Sequence, residues 1–243
     1  MRNYNQEFSD TENKKYRYDF DAVLRQYMMR TFTPLLPQGK ALELGCFKGD
    51  MTRLLDQHFD DLTVVEASDE LIAATKAQVG GNVKYICSTF EKVALAGQFD
   101  AIFLSHTLEH LDDPVAVLRR INDWLTPSGK LFLAVPNGNA PSRQIAVKMG
   151  LISHNTAVTP DERIHGHRRT YVFDTLEAEA IAAGLHVQSR GGVFFKPLAN
   201  YQFDKLIGGD IISDAYLDGC YKLGMQYPDL CATIYLICGK GGN

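Results

Sequence analysis

The chain lacks the marks of several large protein classes. No apolar run reaches the roughly 20 residues that a bilayer-spanning helix needs. The five cysteines, Cys46, Cys87, Cys220, Cys231 and Cys238, are scattered and form no C-x-x-C pair. That argues against a zinc ribbon or a secreted disulfide scaffold and for free thiols in a reducing compartment. Basic residues are not in excess. The formal net charge is −4 over 243 residues, so a general nucleic-acid binder is not expected. The polar, charged stretch up to Tyr18 contains no signal-peptide core, and a cytoplasmic location is expected. There is neither a G-x-G-x-x-G dinucleotide fingerprint nor a G-x-x-x-x-G-K-[ST] phosphate loop.

What the chain does have is alternation. Phe20, Val23, Leu24, Tyr27 and Met28 recur at helical spacing in an opening helix over 18–32. Strands are expected over 40–44, 62–66, 83–87, 99–105, 130–135, 185–191 and 231–238. Helices are expected over 50–58, 69–79, 114–125 and 173–183. The fold expected is α/β and Rossmann-like: a doubly wound, mostly parallel seven-stranded sheet with helices on both faces. All of 1–243 reads as one domain, with a helical segment at 1–38 and a core at 39–136. Inserts at 137–170 and 194–230 break the rhythm, and such segments are commonly lids or binding loops. Thr126–Gly129 reads as a turn, and the tail beyond Cys238 reads as frayed.

The first candidate site is the strand end Glu43-Leu-Gly-Cys-Phe-Lys-Gly49. Gly45 and Gly49 let the backbone turn, and the following helix offers free N–H groups to an anion. Glu43 can meet a cationic amine. The turn therefore suits a small zwitterion or a nucleotide; a plain strand-to-helix turn reads equally well from this segment alone. Phe47 stands where a dinucleotide site needs glycine, which opposes a pyrophosphate. Glu66 ends a later strand about 20 residues on, the spacing of an acid that accepts hydrogen bonds from a ribose diol. Ala67 and Ser68 follow it. Ser88, Thr89 and Phe90 follow the third strand. The fourth strand opens Phe99-Asp100 and runs through Ser105-His106 to Glu109-His110 and Asp113-Pro114.

From Lys40 through Pro136, and more weakly to Leu185, this order resembles the class I S-adenosylmethionine (SAM) methyltransferases. The likeness is to their small-molecule branch, which includes the ubiquinone-type O-methyltransferases. Phe47 departs from the family's E-x-G-C-G-x-G form. The resemblance implies SAM as cofactor and S-adenosylhomocysteine as product. It implies a cofactor site of Glu43, Gly45, Cys46, Phe47, Gly49, Glu66, Ala67, Ser68, Ser88, Thr89, Phe90, Ser105 and His106. It also implies a small-molecule acceptor, with O- or N-methylation and a monomer or homodimer. His106, His110 and His165 are the candidate bases, in no order. His165-Gly-His-Arg-Arg169 can bind an anionic acceptor, or can be a basic loop paired with Asp161, Glu162 or Asp174. A metal held by His154, His165 and His167 lacks a carboxylate at suitable spacing, so no metal is expected. Two other classes share parts of the pattern. Phe47 opposes a nicotinamide or nucleotide-sugar oxidoreductase. The retained Glu43, Gly45, Glu66 and Ser105-His106 set opposes a non-catalytic SAM-fold subunit.

Overall fold

The computed structural model describes residues 18–242; residues 1–17 of the expected 1–38 segment lie outside it. The elements in chain order are α1 (Asp19–Phe32), β1 (Lys40–Leu44), α2 (Asp50–Leu55), β2 (Asp61–Glu66), α3 (Asp69–Gln78) and β3 (Lys84–Cys87). Next come β4 (Phe99–Ser105), α4 (Pro114–Trp124), β5 (Leu125–Pro136), α5 (Pro141–Lys148) and α6 (Pro160–Ile164). The chain finishes with α7 (Phe173–Ala182), β6 (His186–Phe195), α8 (Asn200–Leu206), α9 (Asp214–Gln226) and β7 (Cys231–Gly239).

The seven strands form one sheet in the order β3-β2-β1-β4-β5-β7-β6. Only β7 runs antiparallel to its neighbours, β5 and β6. The order reverses between β1 and β4, which pair in parallel. That switch point is where open α/β sheets leave a crevice beyond the strand C-termini.

Alternating side chains build a core on each face. Ile102 and Leu104 face α4 and α7, where Val117, Leu118, Ile121 and Leu176 are buried. Ala101 and Phe103 face the opposite layer, which holds Phe20, Leu24 and Met28 of α1 with Phe203 and Leu217. The rings of Phe20 and Phe203 stack at 4.3 Å and anchor α1 over α8. α4 starts where Pro114 supplies a preset φ and Asp113 Oδ1 accepts the Ala116 N–H at 3.0 Å.

Three expectations about the chain path need correction. Thr126–Gly129 is not a free turn. It lies within β5, and a register shift between Phe99 and Ala101 absorbs the extra residues. β6 continues four residues past the expected Gly191, to Phe195, because β7 pairs with it along its length. The tail is pinned rather than frayed. Gly239 is in β7, Lys240 Nζ donates to Leu125 O at 2.9 Å, and Gly241 N donates to Asn122 Oδ1 at 2.9 Å.

Candidate active site

A cavity of about 860 Å³ opens at the C-terminal edge of the sheet. One side is formed by the turns after β1, β2 and β4. The other is formed by α1, the 137–170 segment and the segment after β6.

The β1 turn is shaped by its backbone. Gly45 has φ +83°, and a Cβ there would sit 2.8 Å from Thr107 Oγ1, so this position needs glycine. Phe47 also adopts a positive φ, 47°. This accounts for glycine in the family form at that position. A phenylalanine held there costs about 1–3 kcal/mol of backbone strain. Thr75 Oγ1 of α3 donates to Phe47 O at 3.1 Å and helps to hold the turn. Gly49 caps α2 with φ +86° but does not line the cavity.

Two buried carboxylates flank this turn. Glu66 Oε1 accepts the N–H groups of Ala67 at 2.7 Å and Ser68 at 3.0 Å, and Oε2 accepts that of Cys46 at 3.3 Å. It thus ties the β2 end to the β1 turn, and burial still raises its pKa. Ser68 also caps α3 by accepting the Leu71 N–H. Glu43 is different: its Oε2 is buried without a hydrogen bond, and burial pushes its pKa to about 8. A cation from a ligand would relieve that group.

The remaining expected residues divide. Thr89, Phe90, Ser105, His106, His110 and His165 line the cavity. Ser88 does not; its Oγ donates to Thr89 O at 3.2 Å. Phe90 also belongs to the core of the α4 face. Ser105 Oγ is buried with no hydrogen bond. His106 sits at φ 53°, its Nε2 lies 2.9 Å from Thr233 Oγ1 of β7, and burial drives its pKa well below the ordinary range.

The basic segment folds in a way its spacing concealed. Arg168 N donates to Glu109 O at 2.9 Å, Arg168 Nε to His110 O at 3.1 Å, and Arg168 pairs with Asp112 at 2.9 Å. Arg169 donates to the carbonyls of Leu111 and Asp112 and lies 3.6 Å from Glu179. The arginines are therefore clamps between two loops, and neither lines the cavity. Their acidic partners are Asp112 and Glu179 instead of Asp161, Glu162 or Asp174. His167 does line the cavity, while His154 turns to Thr156 Oγ1 at 3.1 Å outside it.

Other cavity groups were missed because nothing in their local sequence marks them. Arg143 of α5 pairs with Glu162 at 2.5 Å and donates to Asn155 O and Ala157 O. Glu162 closes a capping box with Thr159 at the start of α6. Lys196 follows β6, and burial lowers its pKa to about 8. Arg25 projects from α1, and its charge is felt at Asp21, Glu43, His106 and Glu109. Among the described residues, no helix is long and apolar enough to cross a membrane.

The comparisons with known proteins agree with this geometry. A family model described as a methyltransferase domain matches residues 16–190. The ubiquinone biosynthesis O-methyltransferase of Sinorhizobium fredii is 27% identical over 188 residues, 75% of each chain. That of Xanthomonas axonopodis is 27% identical over 172 residues, covering 68% of this chain and 71% of the relative. Among solved structures, the N-methyltransferase NodS of Bradyrhizobium japonicum bound to S-adenosylhomocysteine superposes with a TM-score of 0.60. It is 14% identical and covers 99% of this chain and 98% of its own. A SAM-dependent methyltransferase from Thermotoga maritima reaches 0.63 at 16% identity, over 96% and 99% of the two chains. The fold, the strand-end turn with its two buried carboxylates and the family model converge: the chain belongs to the methyltransferase-domain family, as a class I SAM-dependent methyltransferase.

Proposed function

We propose that the chain transfers the methyl group of SAM to an oxygen of a small-molecule acceptor. The observation that carries this is that Glu43, Gly45 and Glu66 line one cavity together with His106, His110, His165 and His167. The O-methyltransferase names of the sequence relatives favour oxygen over nitrogen.

SAM brings an activated methyl group on a sulfonium, so the protein is left to bind, orient and exclude water. In this reading Glu43 takes the amino group of the methionine part and Arg25 faces its carboxylate. Glu66 accepts hydrogen bonds from the ribose hydroxyls. Thr89 and Phe90 border the adenine. The acceptor occupies the side made by the 137–170 and 194–230 segments. Its oxygen forms the new bond to the methyl carbon, the carbon–sulfur bond breaks with its pair staying on sulfur, and the acceptor proton passes to a base.

Among the three candidate histidines, burial disfavours His106 as that base. Its ring is occupied by Thr233, and its low pKa makes it a weak proton acceptor. His110 and His165 are better placed for that role. Free thiols at all five cysteines and the modest negative charge suit a cytoplasmic enzyme without nucleic-acid partners.

The test is methyl transfer from labelled SAM to a set of small phenols, catechols and amines. Labelled oxygen ethers that require His110 or His165 are expected. Transfer only to amines, or unchanged turnover in His110→Gln and His165→Gln at saturating SAM, overturns the oxygen and histidine-base readings respectively.

A further inference from the structure

The acceptor side of the cavity holds a positive charge with no counter-ion in contact. Lys196 follows β6, is half-buried and lines the cavity. Among the described residues its ammonium makes no ion pair and no hydrogen bond. It stands 6.0 Å from the centroid of the Phe20 ring. The acids whose field reaches it, Asp21 and Glu162, are already engaged. Asp21 accepts the Tyr18 N–H and the Asn200 side-chain amide, each at 3.0 Å, and burial raises its pKa. Glu162 pairs with Arg143 and accepts the Thr159 N–H at 2.8 Å. The Arg143–Glu162 pair cancels, so Lys196 is left as the uncompensated cation of this side. Burial lowers its pKa to about 8, and an anion beside it would raise that value again.

The fold fixes where this charge sits. β6 and β5 are both antiparallel to β7 and so run the same way, which brings the C-terminal end of β6 to the cavity edge. β4, β5 and β7 lie between β6 and β1, so Lys196 enters from the far end of that edge from the cofactor turn. The backbone around it is held. Lys196 O accepts the Ser142 N–H at 3.2 Å, which ties it to the start of α5. Phe194 keeps a φ of 69° with its ring buried against Phe20 and Phe203. Strain of this kind, maintained by packing, clusters at binding sites.

We propose that Lys196 binds a carboxylate on the methyl acceptor, which makes the substrate class a hydroxy acid. The carboxylate is held at the β6 end while the hydroxyl reaches the methyl group beyond β4. This rests on the oxygen-transfer reading above. A lysine is a compact point charge, and its bond to a carboxylate is charge-assisted. One uncompensated cation suits a monoanion better than a dianionic phosphate ester. Holding the acceptor by a group remote from the reacting oxygen orients that oxygen without blocking it.

The experiment titrates the full chain, saturated with S-adenosylhomocysteine, with 4-hydroxybenzoate, 4-hydroxyphenylacetate and 3-(4-hydroxyphenyl)propionate. The methyl ester of each and phenyl phosphate are run beside them. At least one acid is expected to bind about 10-fold or more tightly than its ester. Lys196→Met is expected to erase that preference, Lys196→Arg to keep part of it, and both to leave the S-adenosylhomocysteine Kd within about 3-fold. Should Lys196→Met fail to bind S-adenosylhomocysteine, Lys196→Gln carries the same expectation. The proposal is overturned if no acid binds, if acids and esters bind alike, if the folded Met or Gln variant keeps the preference, or if phenyl phosphate binds more tightly than every acid. With labelled SAM the expected product is an ether at the hydroxyl; label on the carboxylate as an ester overturns the proposal as well. Lys196-dependent binding of an acid with no transfer to its hydroxyl keeps the anion site and sinks the oxygen-transfer reading. Transfer to neutral phenols regardless of Lys196 does the reverse.

Discussion

The two sides of the cavity are built by different means. The cofactor side is a set of strand ends. β1, β2 and β4 are parallel neighbours, and their register alone brings Glu43, Glu66 and Ser105 to one edge. The acceptor side has no such scaffold. It gathers Arg143 from α5, His167 from a loop and Lys196 from the end of β6, and arginine clamps and a capping box hold the pieces. A sheet edge conserves the position of a common cofactor whatever the loops do. Clamped loops can be exchanged to suit an acceptor. Burial raises the pKa of both Glu43 and Glu109 to about 8, and both lie on the strand-end side, Glu109 in the turn after β4.

This contrast has consequences that can be measured. The largest effect is expected at the cofactor turn. Gly45→Val places a branched side chain at φ +83° against Thr107 and should raise the S-adenosylhomocysteine Kd by about 100-fold or more. Unchanged affinity would mean the ligand does not approach this turn.

Glu43→Gln comes next. A buried hydrogen bond to a charged partner is worth about 1.5–3 kcal/mol, so calorimetry should show the Kd raised by about 10- to 100-fold. The same variant has a stability signature. Burial lifts the Glu43 pKa from 4.5 to about 8, so the folded state keeps a proton that the unfolded chain has released. Wild-type stability therefore falls as pH rises from about 4.5 to about 8 through this group. Glu43→Gln should flatten that fall in ligand-free protein; a profile parallel to wild type would contradict the burial.

Arg143→Met tests the other side. It removes the pair with Glu162 and two carbonyl contacts, at a cost of about 2 kcal/mol once partial exposure is discounted. The melting temperature should drop while the S-adenosylhomocysteine Kd stays within about 3-fold. A large loss of cofactor affinity would show that the sides are not independent. The smallest effect is expected at Arg30, whose pair with Asp218 is solvent-accessible and lies outside the cavity lining. Arg30→Ala should leave both the melting temperature and ligand binding close to wild type.

Legibility followed the same division. The strand-end residues of the cofactor side are marked locally, because a positive-φ glycine and a terminal acid leave a trace within ten residues. The seven strands were readable from apolar runs, although β6 and β5 outran their expected bounds through pairing with distant partners. The acceptor side was legible only as a break in rhythm. Arg168 and Arg169 read either as ligand-binding cations or as part of a basic loop paired with nearby acids, since a sequence does not show that carbonyls 57 and 58 residues away will claim them. Likewise, the approach of Glu109 to His110 and His167, within 4.8 Å, arises only through the fold.

The central claim is that the β1 turn and Glu66 form a SAM site. Isothermal titration of the full chain with S-adenosylhomocysteine tests it most directly. The expected result is one site per chain, weakened by about 10-fold or more in Glu66→Ala, with no heat from NAD. Failure of wild-type protein to bind either S-adenosylhomocysteine or SAM would contradict it.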